Sequence, residues 1–343
     1  MQCKAAVLVK QKKPLYVGKI ELQDELEVGQ VLVKVFYSGI CGSQLGEIDG
    51  VKGEDKYLPH LLGHEGSGEV MEIGPGVTHV YPGDKVVLHW RKGAGIESVP
   101  PKYEGVNAGL VTTFNEYAVV SENRVTKIPN DSDMKVAALF GCAVTTGFGV
   151  VENNAKVKIG ESVGVFGAGG IGLNIIQAAA MSSAYPIIAV DLHENRLGLA
   201  KKMGATHAIR ARKYTEQDIE QILGERELDV FIDNTGGPDV IELGYEMVGP
   251  QGRVVCVGVP KYDEDICIHS LDLHFGKSIT GSYGGETDPH EDIPRYMRLF
   301  EEKRLELKSL ITKTVRLSDI NEAISEMRSG EISGRCLIDL TDS

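Results

Sequence analysis

The chain predicts an α/β protein, a doubly wound parallel sheet joined to a second, mostly antiparallel β unit. Three observations carry this. From residue 162 onward, apolar strand-like runs alternate regularly with helical segments, the pattern of helical crossovers on a parallel sheet. Residues 4–130 instead read as short apolar or alternating runs broken by Gly and Pro: AAVLV, VLVKVFYSGICG, GSGEVMEIG, DKVVLHW and FNEYAVV. Such spacing suits a compact antiparallel unit. Finally, 343 residues exceed one ordinary core, so about two domains are expected.

Taken in order, strands are expected at 162–166, 186–191, 207–210, 228–233, 253–259 and 278–282. Helices are expected from 170 and at 195–203, 217–223 and 240–248. The tail turns mixed, with amphipathic helices near 293–302 and 320–327 and a closing strand at 335–340 that folds back on the first unit. The expected division is therefore 1–145 completed by 284–343, with 146–283 as the parallel-sheet domain.

Composition narrows the class of function. With 42% hydrophobic and 25% charged residues and no long apolar run, a soluble globular protein without a membrane partner is expected. The opening MQCKAAVLVKQKK lacks an apolar core followed by a cleavage site, so cytoplasm is the expected location. A formal net charge of -13 argues against nucleic-acid or anionic-membrane partners, which need concentrated Lys and Arg. The six cysteines have no close pairs and do not form a disulfide framework.

The stretch VGVFGAGGIG joins an apolar run to glycines spaced as Gly167-x-Gly169-x-x-Gly172. The first glycine permits a tight turn, the second lets a pyrophosphate reach the main chain, and the third lets the next helix pack on the sheet. The helix N-terminus, at Gly170 and Ile171, offers N–H groups and partial positive charge to the anion. The run PIIAV then ends on Asp191, 19 residues after Gly172. A carboxylate there accepts both ribose hydroxyls of NAD and repels the 2'-phosphate of NADP. Strand, glycines, helix, strand and acid in this order point to NAD.

Cys41 in SGICGSQ, His64 in LLGHEGSG and Cys142 in LFGCAVTTG stand far apart in sequence. Thiolate and imidazole suit zinc, and three ligands leave a fourth position open for catalysis. Isolated cysteines are also commonly buried small hydrophobes, and a lone histidine a hydrogen-bonded core residue. Residue type alone leaves that choice open.

GHEGSGEVMEIGPGV at 63–77 resembles the zinc-containing signature of the medium-chain alcohol dehydrogenase family, and the similarity runs almost end to end. It includes KAAVLVK, ICGS, PGDKVVLHW, FNEYAVV, GCAVTTG, DLHENRLGLAKKMGAT, VVCVGVP and INEAISEMRSGEISGR. The resemblance implies a Rossmann domain, a GroES-like catalytic domain, and NAD-linked reversible oxidation of an alcohol, which a polyol or sugar-derived secondary alcohol would also satisfy. It implies that Cys41, His64 and Cys142 hold one catalytic zinc, with Glu65 beside the metal. Ser43 falls where the family places the hydroxyl that removes the alcohol proton, and Trp90 where an aromatic residue walls the substrate pocket. On the cofactor side, Thr146 and Val257, Gly258 and Val259 match positions near the nicotinamide. Asp191 and Arg196 match the adenosine-ribose pair, and Arg335 matches a pyrophosphate arginine.

Three departures stand out. Residues 91–113 contain no cysteine, so no structural zinc is expected. Gln44 replaces an Asp that bonds the zinc histidine in many relatives; its carbonyl is expected to orient the imidazole, leaving the zinc more electrophilic. Gly46 replaces a relay histidine, and His60 is a candidate for another proton path, with a structural role as the plainer expectation. Arg91, Lys92, Lys102 and Tyr103 form a loop that could meet a polar alcohol, unless it is merely solvated or at a subunit contact. Two rival readings are a zinc-free NADPH-dependent enone or quinone reductase and a non-enzymatic nucleotide-binding protein. A homodimer or homotetramer is expected through the outer sheet edge, at 253–259 and 278–282.

Overall fold

Alternation sets the first sheet. In β3 (Gln30–Ile40) Val31, Val33 and Val35 are fully buried, as a period of two places them on one face. Each such side chain contributes about 1.5–3 kcal/mol of burial. The structure is a computed structural model and describes residues 1–212 and 215–341.

It divides into two units, one formed by Met1–Thr145 with the chain from Asp288 onward, the other by Thr146–Thr287. In the first unit, β1 (Gln2–Leu8) pairs antiparallel with β2 (Tyr16–Glu21) and with β4 (His60–Leu61). Helix α1 (Gly42–Asp49) leaves the end of β3. A seven-stranded sheet holds β3, β5 (Glu65–Ile73), β6 (Lys85–His89), β7 (Tyr117–Ser121) and β8 (Val125–Lys127). A short helix α2 (Met134–Ala137) and helix α3 (Ala143–Gly149) follow.

The second unit is one parallel six-stranded sheet: β9 (Val163–Phe166), β10 (Ile187–Asp191), β11 (His207–Arg210), β12 (Leu228–Asp233), β13 (Val248–Cys256) and β14 (Ser278–Gly281). The order is β11-β10-β9-β12-β13-β14, the doubly wound order with its switch between the first and fourth strands. Helices α4 (Gly170–Met181), α5 (Glu194–Lys202), α6 (Thr215–Leu223) and α7 (Pro238–Met247) connect it. All of β9 and β10 is buried, as parallel strands covered on both faces should be. The expected α/β class, with a separate mostly antiparallel sheet, is what forms.

Back in the first unit come α8 (Pro289–Glu301), β15 (Ile311–Arg316), α9 (Ile320–Ser329) and β16 (Arg335–Asp339). β16 pairs antiparallel with β3 and parallel with β15, extending the large sheet. Helix α8 starts four residues before the expected 293. Asp288 caps it by accepting the His290 N–H at 3.1 Å, and Pro289 opens the first turn, a start signal in its own right.

β13 also departs from expectation. It begins at Val248 and ends at Cys256, so Val257 to Val259 lie outside the strand. Their path is fixed from the neighbouring strand, because the Asp233 carbonyl accepts the N–H groups of Val257 at 2.7 Å and Gly258 at 3.1 Å. β13 is paired on both sides, which leaves β14 as the edge beyond it. No single helix among the described residues is long and apolar enough to cross a membrane.

Candidate metal centre and cofactor cradle

Three elements of the first unit deliver the metal-type side chains. Cys41 caps α1 where the chain leaves β3, His64 precedes β5, and Cys142 precedes α3. Gly63 adopts φ +90°, and a Cβ there would lie 2.3 Å from the Thr113 hydroxyl, so only glycine delivers His64 in this turn. The ligand atoms of Cys41, His64 and Cys142 all lie within 4.8 Å of one another, the one such cluster among the described residues. Both cysteines are buried and neither is in a disulfide. The neighbouring Cys142 thiol, opposed by burial and helped by His64 and Arg335, holds the Cys41 thiol well below its ordinary range. That favours the thiolate a metal needs.

Two polar atoms are buried without a protein partner: His64 Nε2, in the cluster, and Ser43 Oγ, two residues along the chain from Cys41. Orphan groups of this kind carry a desolvation cost unless something fills the site. Two sulfurs and one imidazole nitrogen, the last buried without a protein partner, fit zinc.

Glu65 is fully buried; its Oε2 accepts the Ala143 N–H at 3.1 Å. The Arg335 guanidinium, itself 3% exposed, pairs with Glu65 Oε1. Its Nε stays buried without a protein partner, so the pairing leaves the guanidinium a donor to spare. A buried carboxylate needs a counter-charge, and Arg335 supplies one. Gly39 makes room, since a Cβ there would sit 2.3 Å from Glu65 Oε1.

Gln44 contacts His64, but with the other end of its amide than expected. Its Oε1 accepts the Cys41 N–H at 3.1 Å, which turns the amide nitrogen toward His64 Nδ1. The Trp90 ring lies edge-on to the His64 ring, with centroids 6.3 Å apart.

The basic loop is mostly spent on its own structure. Lys92 pairs with Glu97, Lys102 with Glu27, and the buried Tyr103 hydroxyl accepts the Val119 N–H at 3.0 Å. Arg91 lies over the Trp90 ring, 6.0 Å from its centroid. His60 is likewise engaged, with Nε2 2.7 Å from Asp55 and Nδ1 2.9 Å from the Leu61 carbonyl, so its structural role prevails.

Sequence reasoning missed Glu122. This carboxylate is fully buried and accepts the N–H groups of Thr78, His79 and Ile96 at 2.7 to 2.9 Å. It thereby ties Ile96, in the segment where some relatives carry a second zinc, to Thr78 and His79 ahead of β6. No motif marks it, because a single acid ahead of a basic residue in SENR looks like surface.

The second unit holds the glycine loop. Gly167 has φ +91°, and a Cβ on Gly172 would lie 1.9 Å from the Gly167 carbonyl oxygen. Nothing lies within 4 Å of a Cβ built on Gly169, the open side a phosphate could approach. Gly169 caps α4, whose first turn begins with Gly170 and Ile171. Asp191 is 6% exposed; it accepts the Ala168 N–H at 2.8 Å and stands 3.6 Å from Arg196. The sequence also gave no sign of Asp233, whose carboxylate accepts N–H groups of Thr235 and Gly236 and so shapes the turn beside Gly258. Thr146 is buried at the start of this unit.

Comparison with known proteins agrees with this arrangement. A family model described as an alcohol dehydrogenase GroES-like domain matches residues 27–130, and one described as a zinc-binding dehydrogenase matches 170–302. S-(hydroxymethyl)glutathione dehydrogenase from Synechocystis sp. is 32% identical over 96% of this chain and 98% of its own length. The crystal structure of benzyl alcohol dehydrogenase from Acinetobacter calcoaceticus is similar at a TM-score of 0.89 and 29% identity, covering 99% of both chains. That of 2R,3R-butanediol dehydrogenase from Bacillus subtilis is similar at 0.79 and 28%, over 98% of this chain and 99% of that one. Read with the converged Cys41, His64 and Cys142, these likenesses establish that the chain belongs to the zinc-containing, medium-chain alcohol dehydrogenase family.

Proposed function

We propose that this zinc-family alcohol dehydrogenase oxidises an alcohol reversibly with NAD, using one zinc held by Cys41, His64 and Cys142. The observation that carries the proposal is their convergence in a buried setting, with His64 Nε2 and Ser43 Oγ lacking protein partners. A zinc-free reductase has no need of such a set, and a mere nucleotide-binding protein has no need of Ser43 beside it. Zinc supplies Lewis acidity that lowers the proton affinity of an alcohol oxygen, and NAD supplies the hydride acceptor.

The chain's own residues bind, orient and move the proton. Cys41 and Cys142 offer sulfur and His64 offers Nε2. Ser43 Oγ would relay the hydroxyl proton, accepting it from the alcohol while its own Oγ–H passes to a water or a cofactor hydroxyl. Glu65, with Arg335 as its counter-ion, sets the charge beside the ligands. Trp90, edge-on to His64, favours an alcohol with an apolar face over a polyol, and the engagement of Lys92, Lys102 and Tyr103 elsewhere supports that choice.

We read the unit of Thr146–Thr287 as the dinucleotide-binding domain and the other as the catalytic domain. In the former, Gly167, Gly169 and Gly172 would cradle the pyrophosphate at the first turn of α4, with N–H groups of Gly170 and Ile171 toward it. Asp191 would take the ribose hydroxyls beside Arg196, while Thr146 and Val257 to Val259 would flank the nicotinamide. Self-association is proposed along the β14 edge, where Leu271, Leu273 and Phe275 are exposed just before the strand.

Replacing a thiolate ligand separates the two halves of this proposal. Cys41→Ala should abolish NAD-dependent turnover of alcohols while NADH still binds, read by nucleotide fluorescence. Retained turnover would contradict the ligand assignment.

A further inference from the structure

We infer that His89 is a positioning residue for substrate selection: its imidazole pins the turn that carries Trp90 and so sets where that aromatic wall stands beside His64. The inference rests on the reading of Trp90 as a wall of the substrate pocket. It concerns what holds the wall in place.

The sheet register brings the two rings together. In the antiparallel β5–β6 ladder Glu65 stands opposite His89, so one step further along the same register His64 faces Trp90, the first residue past β6. Their edge-on ring contact follows. Successive side chains on a strand leave by opposite faces, which turns His89 away from that contact. It lies instead on the face shared by Val87 and by Thr126, which stands opposite Val87 in the β6–β8 ladder. His89 therefore reaches the substrate side only through Trp90.

His89 is 1% exposed, and burial pushes its imidazole pKa down to about 3. The ring is thus neutral near pH 7, with one N–H to give and one lone pair to fill. Both are used. Nδ1 donates to the Arg91 carbonyl at 2.8 Å, and Nε2 accepts from the Thr126 hydroxyl at 2.9 Å. The first bond closes the turn around Trp90, and the second ties that turn to β8. Gly93 fixes its far side, donating its N–H to the Asn123 carbonyl at 2.9 Å. Arg91, whose carbonyl is held in this way, lies over the Trp90 ring. An apolar side chain at 89 would fill similar space but take these partners from the Arg91 carbonyl and the buried Thr126 hydroxyl, and the turn carrying Trp90 would loosen.

Trp90 is the only tryptophan in the chain, so intrinsic emission reads the wall directly. The ratio of kcat/KM for benzyl alcohol to that for ethanol reads its effect on substrate choice. His89→Leu should lower this ratio by about 10-fold, the low end of what an apolar pocket contact contributes, and increase acrylamide quenching of Trp90. Thr126→Val, which removes only the hydroxyl, should move both readouts in the same direction by less. His89→Asn puts an amide N–H where Nδ1 stood, keeps the bond to Arg91, and should restore most of both. A wild-type ratio or unaltered emission in both His89→Leu and Thr126→Val, or a His89→Asn protein no better than His89→Leu, would overturn the inference. A Trp90→Ala ratio equal to wild type would instead overturn the reading of Trp90 beneath it.

Discussion

Ser43 presents a hydroxyl oxygen that is buried, unpartnered, and two residues from a metal-type cysteine. In the proposed reaction this group relays the substrate proton. Ser43→Ala should lower kcat by ~10²–10⁴-fold, the usual reach of one positioned acid or base, with zinc content and NADH affinity unaltered; a wild-type kcat would remove Ser43 from the chemistry. At this scale the ligands were legible, since Cys41, His64 and Cys142 each sit in a short, distinctive segment. The partners of buried charges were not. Arg335 and Glu65 lie 270 residues apart, and only the pairing of β16 with β3 brings the closing strand to that part of the sheet. The Gln44 contact was legible, but not which end of the amide makes it, because that depends on the Cys41 N–H.

Among the elements, Glu122 ties the Ile96 N–H after β6 to those of Thr78 and His79 before it, in a chain with no cysteine at 91–113. Burial alone would raise the Glu122 carboxyl, but the N–H groups of Ile96, Thr78 and His79 pull it below its ordinary value. A depressed folded value means this stabilisation is present above the unfolded pKa and is lost as pH falls through the folded one. Glu122→Gln should cost about 2 kcal/mol, in line with hydrogen bonds to a charged group, and lower the thermal midpoint. It should also flatten the acid limb of stability against pH. An acid limb identical to wild type would assign the anchoring to other contacts. The parallel strands were legible because their apolar runs are short and bounded, and β11 and β12 fall on 207–210 and 228–233 as expected. The ends of α8 and β13 were not, because a capping pair and an Asp233 carbonyl set them, and neither alters apolar periodicity.

For the whole molecule, edge strands need covering, and β14 ends its sheet beside exposed Leu271, Leu273 and Phe275. Sedimentation should show a homodimer or homotetramer, and Phe275→Glu should shift it toward monomer; a wild-type monomer at all concentrations would contradict the proposed interface. The two-unit architecture was legible from the change of rhythm near residue 162, whereas the β13 interior position was not, since strand order is a property of the assembled sheet. The central claim is that the Cys41, His64 and Cys142 cluster works with NAD on an alcohol. Metal content measured together with NAD reduction, over apolar primary and secondary alcohols, polyols and sugar derivatives, tests it most directly. The account predicts about one zinc per chain, as a three-ligand catalytic site should hold, with NAD preferred over NADP and apolar alcohols over polyols. Metal-free protein that instead reduces enones or quinones with NADPH would contradict it.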